Sequence, residues 1–259
     1  MVYDMKIALC HLDLSCGPKM QNIQQLEKAV YLAGEQGADW VITPETAVQG
    51  YYFYRLDNSA VVPVQPSAEL TGLRELCRKY SLTLFLGCGE YDEVTAKNYN
   101  SCLVFGADGE IKARHRKLFG ECLGAEAWAR KGEYFTVVQD EPLKTGVLVC
   151  ADLWFEENYL GTMQAGAEIL LDIAAWPPTQ VCGDPLTCWL HASRVTKMSL
   201  IVCNQTGCPE WMDMTVGQSV VIDNGELKLA YSGKPAILLF DYDEKQRKVL
   251  SVCYQVISM

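Results

Sequence analysis

Two periods alternate along the chain. "KIALCHLDL" (residues 6–14) is apolar with little interruption, the pattern of a strand covered on both faces. Behind it, "KMQNIQQLEKAVYLAGEQG" sets Ile23, Leu26, Ala29, Val30 and Ala33 at three- and four-residue steps, which predicts a helix stopped by Gly37. "ADWVITPE" reads as a buried strand ending at Glu45, and "SAELTGLRELCRKYS" as a second amphipathic helix on Leu70, Leu73, Leu76 and Cys77. "LTLFLGCGEYD" and "YNSCLVFGADGEIKARHRK" are strands, the second turning back at Asp108-Gly109. Further on come a strand in "KTGVLVC", a helix in "ENYLGTMQAGA", a strand in "EILLDIAAW" and a helix in "PLTCWLHASRVTKMS". "LIVCNQTG", "QSVVIDNGELKLA" and "KPAILLFDYD" are strands, with a hairpin turn at Asn224-Gly225.

Strand–helix alternation implies crossover units, and the hairpins add antiparallel pairing. No internal repeat, low-complexity tract or linker-like shift interrupts the pattern. Residues 1–259 therefore read as one α/β domain with mixed sheets.

Composition narrows the partners. A chain that is 49% hydrophobic and 21% charged is ordinary globular protein. A net charge of −10 argues against a nucleic acid or an anionic membrane, which need a basic face. The start shows no basic segment followed by a long apolar one, and no apolar run reaches membrane-spanning length. The expectation is a cytoplasmic protein whose twelve cysteines are reduced thiols. None is spaced C-x-x-C; the pairs Cys203/Cys208, Cys10/Cys16 and Cys182/Cys188 lack zinc-ribbon spacing. The only histidines, His11, His115 and His191, leave little for a multi-histidine metal site. A Cys–His nucleophile would need His115 or His191 to fold beside a cysteine.

Three predicted strands end on a reactive side chain: Glu45 after "VITP", Lys117 after "IKARHR", Cys150 after "VLV". Ligand sites in α/β sheets lie beyond the carboxyl ends of strands. A cysteine attacks as thiolate, and an ordinary thiol pKa of about 8.5 leaves little of it ionised at neutral pH. A nearby lysine lowers that pKa and can hold an oxyanion; a carboxylate can take the thiol proton and return it to a leaving amine. Each residue also has a plain reading: Cys150 as a core hydrophobe, Lys117 as a solvated cation, Glu45 as a helix-start carboxylate.

An ordered series of segments decides between these readings. "TPETAVQGYY", "RHRKLF", "GVLVCADLWFEE", "AEILLDIAAWP", "CWLHASR" and "NQTG" follow one another across nearly the whole chain. Together they resemble the carbon–nitrogen hydrolases of the nitrilase superfamily, which use a Glu–Lys–Cys triad. The resemblance implies a four-layer α-β-β-α sandwich. It assigns Glu45 as base, Lys117 as the cation and Cys150 as nucleophile, with no metal or organic cofactor. It also implies a homodimer or larger homo-oligomer. A second glutamate usually orients the lysine a few residues before a glycine that opens the next strand. Glu126, six residues before Gly132, fits this better than Glu121.

Some positions depart from the family pattern. Ala151 stands where a large residue usually follows the nucleophile; its N–H can still serve an oxyanion hole, and the small side chain leaves room near the thiol. Glu156 replaces a usual proline, Lys197-Met198 replaces Glu-Asn, and "LFGECLGA" differs from the usual run after the lysine. Tyr51, Trp154 and Trp176 are candidate walls of the substrate site, although single aromatics also serve as packing. Trp154, four residues after the nucleophile, looks most like the amidase and N-carbamoyl-amine branch. The expected reaction is hydrolysis of a small-molecule amide or carbamoyl compound through a cysteine thioester. A nitrilase, or a catalytically silent binding or scaffold member of the fold, stays open. Arg130, Lys131 and Arg194 are the cations available to a substrate carboxylate.

Overall fold

The computed structural model describes residues 4–119, 124–139, 143–180, 183–208 and 210–259. The chain lays down β1 (Asp4–His11), crosses through helix α1 (Lys19–Glu35) and returns as β2 (Trp40–Ile42). A one-turn helix α2 (Phe53–Leu56) and helix α3 (Thr71–Tyr80) precede β3 (Thr83–Asp92), β4 (Lys97–Phe105) and β5 (Ile111–Arg116). A second sheet then begins with β6 (Thr136–Val138) and β7 (Thr145–Val149). It continues through α4 (Glu156–Gln164), β8 (Ile169–Ala174), α5 (Pro185–Thr196), β9 (Ser199–Asn204), β10 (Gln218–Asp223) and β11 (Glu226–Ser232). The chain finally rejoins the first sheet as β12 (Ala236–Asp243), β13 (Lys248–Val249) and β14 (Gln255–Ser258).

The first sheet runs β13-β12-β1-β2-β3-β4-β5, with β14 also on β12; the second runs β11-β10-β9-β8-β7-β6. Each has three parallel strands at its centre, β1-β2-β3 and β7-β8-β9, and antiparallel pairs outside. Parallel neighbours need crossovers, which is why helices alternate with these strands.

Alternation within β1 sorts the layers. Ile7 and Leu9 face an inner core shared with Val147, Ile173 and Ile201 of the second sheet. Ala8 and Cys10 face outward onto Ile23, Leu26 and Ala33 of α1 and Leu73 and Cys77 of α3. The inner core continues through the second sheet to Tyr159 of α4 and to Trp189 and Ala192 of α5. The order is thus helices, sheet, sheet, helices: the expected four layers.

Most boundaries follow the apolar pattern. The two predicted hairpin turns form, with Gly109 at φ 70° and Asn224 and Gly225 at 51° and 78°. Three details differ. The strand expected to reach Glu45 stops at Ile42, since Pro44 has no N–H to extend the ladder. The second amphipathic helix starts with a 3-10 turn, Ala68–Leu70. Strands β13 and β14 were not expected; they are two and four residues long and largely exposed. No helix among the described residues is long and apolar enough to cross a membrane.

Candidate active site

Glu45 stands in the turn after β2, where Thr46 takes a positive φ of 47°. Gly87 on β3 makes room for this turn. A Cβ there would lie 2.1 Å from the Pro44 carbonyl oxygen and 3.1 Å from the Glu45 Cα. The Glu45 side chain is fully buried. Its Oε1 accepts from Lys117 Nζ and from Asn100 Nδ2, both at 2.7 Å, and its Oε2 accepts from the Ala175 N–H at 3.1 Å. The Glu45 carbonyl accepts from Gln205 Nε2 at 2.6 Å.

Lys117 follows the last residue of β5 and is 2% exposed. Its Nζ bridges Glu45 and Glu126, 2.7 Å from the first carboxylate and 2.6 Å from the second. Burial opposes its charge, but Glu126 and Glu45 outweigh burial and hold its pKa well above the usual lysine value. It is therefore a fixed ammonium. The backbone behind it is held by Gly132, whose N–H donates to the Lys117 carbonyl at 2.7 Å. A Cβ at Gly132 would sit 2.3 Å from the Arg116 carbonyl oxygen. Gly132 does not open a strand, as β6 begins only at Thr136.

Glu126 ends a 3-10 turn, Gly124–Glu126. It accepts from Tyr51 Oη at 3.2 Å and from Asn100 Nδ2 at 3.1 Å. The alternative second glutamate, Glu121, lies outside the described residues. Asn100, on β4, thus divides its amide between the two carboxylates.

Cys150 begins a 3-10 helix, Cys150–Trp154, directly after β7, with φ 51°. Its N–H donates to Asp172 Oδ1 on β8 at 2.6 Å. The thiol is buried, and Glu45 and Lys117 lie close enough for their charges to act on it. Burial first, and Glu45 second, push its pKa well above the usual value, and Lys117 offsets only part of this. The lysine does lower the thiol pKa, as expected, but burial and the Glu45 charge outweigh it. The residue rests as a thiol against a base. Burial also raises the Glu45 pKa, with Lys117 opposing, which makes the carboxylate a stronger proton acceptor than an exposed one.

Asp152 ties the two reactive segments together. Its Oδ1 accepts from the N–H groups of Leu118 and Phe119, both at 2.8 Å, just after Lys117. Its Oδ2 accepts from the Val149 N–H and pairs with His115 Nε2, both at 3.0 Å. His115 therefore serves Asp152 rather than a cysteine, while His191 is exposed on α5.

The remaining predicted residues gather nearby. Tyr51 reaches Glu126 as described. Trp176 follows Ala175, which holds Glu45, and its N–H is fixed by Asn204 Oδ1 at 2.9 Å. Trp154, 47% exposed, stacks on Trp176 with ring centroids 5.5 Å apart. Ala151, partly exposed, is the first residue past the thiol in the same 3-10 turn. Arg194 is directed elsewhere: its side chain packs where a Cβ on Gly225 would lie, at the β10–β11 turn. Sequence reasoning missed Asn100 and Asp172 and gave Asp152 no role.

A buried thiol, a carboxylate base and a fixed cation can together support acyl transfer from nitrogen to sulfur and then to water. A family model described as "Carbon-nitrogen hydrolase" matches residues 6–225. The chain is 29% identical over 177 residues to an omega-amidase, chloroplastic, of Arabidopsis thaliana, covering 63% of this chain and 47% of that protein. It is 25% identical over 251 residues to the omega-amidase NIT3 of Saccharomyces cerevisiae, covering 91% of this chain and 86% of that one. The crystal structure of the yeast protein superposes with a TM-score of 0.82 at 22% identity, over 93% of this chain and 91% of that one. An amidase structure from Nesterenkonia sp. AN1 gives 0.80 at 22% identity, over 94% and 92%. The family match runs from within β1 to the β10–β11 turn, and on that extent the chain belongs to the carbon-nitrogen hydrolase family.

Proposed function

We propose that the protein is an amidase that hydrolyses the terminal carboxamide of a small molecule through a Cys150 thioester and releases ammonia. The observation that carries the reading is the buried Lys117 ammonium, bridging Glu45 and Glu126 beside the Cys150 thiol. Glu45 takes the thiol proton as Sγ bonds to the amide carbon. The oxyanion is held by Lys117 Nζ and by the Ala151 N–H, an early donor of a 3-10 turn with no partner within its own helix. Glu45 then passes the proton to the departing nitrogen, the C–N bond breaks and ammonia leaves. Water loses a proton to Glu45 and attacks the thioester, and the proton returns to sulfur with release of the acid. Asn100 and Glu126 position the two charged groups, and Tyr51, Trp154 and Trp176 border the substrate.

Amide chemistry is favoured over nitrile chemistry by the relatives. Two are omega-amidases, and in a glutamate-to-leucine mutant of the Nesterenkonia amidase the acetamide moiety of fluoroacetamide adds covalently at the active-site cysteine. The test is ammonia release from a panel of primary amides, dicarboxylic acid monoamides, N-carbamoyl compounds and nitriles. Amides are expected to turn over. Cys150→Ser should remove turnover while circular dichroism stays native, and fluoroacetamide should add an acetamide moiety to the Cys150 peptide of a Glu45→Gln variant. Full activity in Cys150→Ser would overturn the assignment.

A further inference from the structure

Two cysteines outside this site meet in space. Cys16 and Cys208 are 192 residues apart in the chain, and their Sγ atoms lie 2.7 Å apart. Cys16, on the loop after β1, is exposed. Cys208, on the loop after β9, is 8% exposed and packs with Tyr52, Ala175 and Met214. The approach is set by main-chain and side-chain bonds on both loops rather than by one rotamer. Thr206 N–H donates to the Leu12 carbonyl at 3.1 Å, Tyr52 N–H to the Ser15 carbonyl at 2.9 Å and Met214 N–H to the Gly207 carbonyl at 3.0 Å. Ser15 Oγ donates to Gln205 Oε1 at 2.7 Å. A disulfide needs sulfurs about 2.05 Å apart, so little movement separates the pair from a bond.

We propose that Cys16 and Cys208 form a reversible redox site, oxidised to an intrachain disulfide by a small-molecule disulfide. Exposure makes Cys16 the attacking group. Its thiolate bonds to one sulfur of RS–SR, the S–S bond breaks and RS⁻ leaves. Cys208 then gives up its proton and its sulfur attacks the Cys16 sulfur, displacing the second RS⁻. Both leaving thiolates take up the protons lost by the two cysteines. Two protein thiols are oxidised by two electrons, and one disulfide is reduced to two thiols. Burial, and contact with Cys16, push the Cys208 thiol up to about 12, so it does not compete with Cys16 for the oxidant, and its resolving role rests on its 2.7 Å approach to the Cys16 sulfur. The cross-link would join the loop of Ser15 to that of Gln205, the side chain that holds the Glu45 carbonyl.

The experiment uses the full chain with oxidised glutathione, followed by thiol blocking and non-reducing peptide mapping. The expected product is a joined Cys16–Cys208 peptide pair, two hydrogens lighter than the separate peptides and split again by reductant. This needs no variant. In Cys208→Ser, glutathione should stay trapped on Cys16; in Cys16→Ser, Cys208 should remain unmodified. Glutathione spread over Cys16 and the exposed Cys253, with no joined pair, would overturn the proposal. So would a Cys208→Ser protein with no more adduct on Cys16 than wild type.

Discussion

Asn100 shows how much of the proposed site hangs on one amide. Its Nδ2 donates at 2.7 Å to Glu45 and at 3.1 Å to Glu126, so one group keeps two like-charged carboxylates at fixed positions around Lys117. A hydrogen bond to a charged group is worth roughly 1.5–3 kcal/mol, so Asn100→Ala should lower kcat/KM by about ten- to a hundredfold. Asn100→Asp should be worse, because it sets a third carboxylate against the other two. Equal activity in both variants would remove Asn100 from the arrangement. The direction of the Glu45 shift gives a second test. Glu45 acts as a base only when ionised, so the rate falls as pH falls through its pKa. Burial raises that pKa, so the acid limb of kcat/KM should lie above the ordinary glutamate value of about 4.3. A limb at or below that value, measured on the free enzyme, would contradict the desolvated base. Because Glu45 takes the thiol proton during attack, activity should not wait for Cys150, whose pKa burial raises, to ionise in alkali.

At the scale of elements, Asp152 is the latch between the segment after β5 and the turn after β7. Four donors converge on it, three of them backbone N–H groups. Asp152→Ala would leave these donors buried and unpaired, which should cost at least about 3 kcal/mol and lower the unfolding midpoint in urea. Asp152→Asn, which keeps one acceptor oxygen, should fall between the variant and wild type. If Asp152→Ala unfolds at the wild-type midpoint, the latch carries no weight. The same segments show what could be read from residues alone. Glu45, Lys117 and Cys150 stand out because each stands at the end of a predicted strand, and the motif series orders them. Asn100 gives no such signal: its partners Glu45 and Glu126 lie 55 and 26 residues away, and only sheet register brings them together. Asp172 did leave a trace, as the one charged residue in the apolar run "ILLDIA", but its purpose, the Cys150 N–H, depends on β7 lying beside β8. The helices were legible because their apolar faces repeat over several turns. Strands β13 and β14 are two and four residues long, too short for a period to show.

The whole molecule is built so that its two sheets cannot easily come apart. The chain leaves the first sheet after β5, makes the entire second sheet, and returns as β12 to pair with β1 along its full length, from Asp4↔Asp243 to His11↔Ala236. Between the sheets, Ile7, Trp40, Ile42, Phe85 and Val104 from one side share a single buried core with Val147, Ile173, Ile201 and Val221 from the other. The Cys203 thiol crosses the layers to donate to the Ile42 carbonyl at 3.2 Å. Neither sheet has an inner apolar face that survives alone, so exposing one exposes the other. We therefore expect one unfolding unit: far-ultraviolet circular dichroism and tryptophan fluorescence should give coincident urea transitions. Phe85→Ala on the first sheet should cost about 3–5 kcal/mol, and Ile201→Ala on the second about 2–5 kcal/mol, by lost burial and cavity formation. Each should move both probes by the same amount. A variant that splits the transition, moving fluorescence without circular dichroism, would mean that the sheets fold separately, and that Glu45 from one and Cys150 from the other are joined only after each sheet has formed.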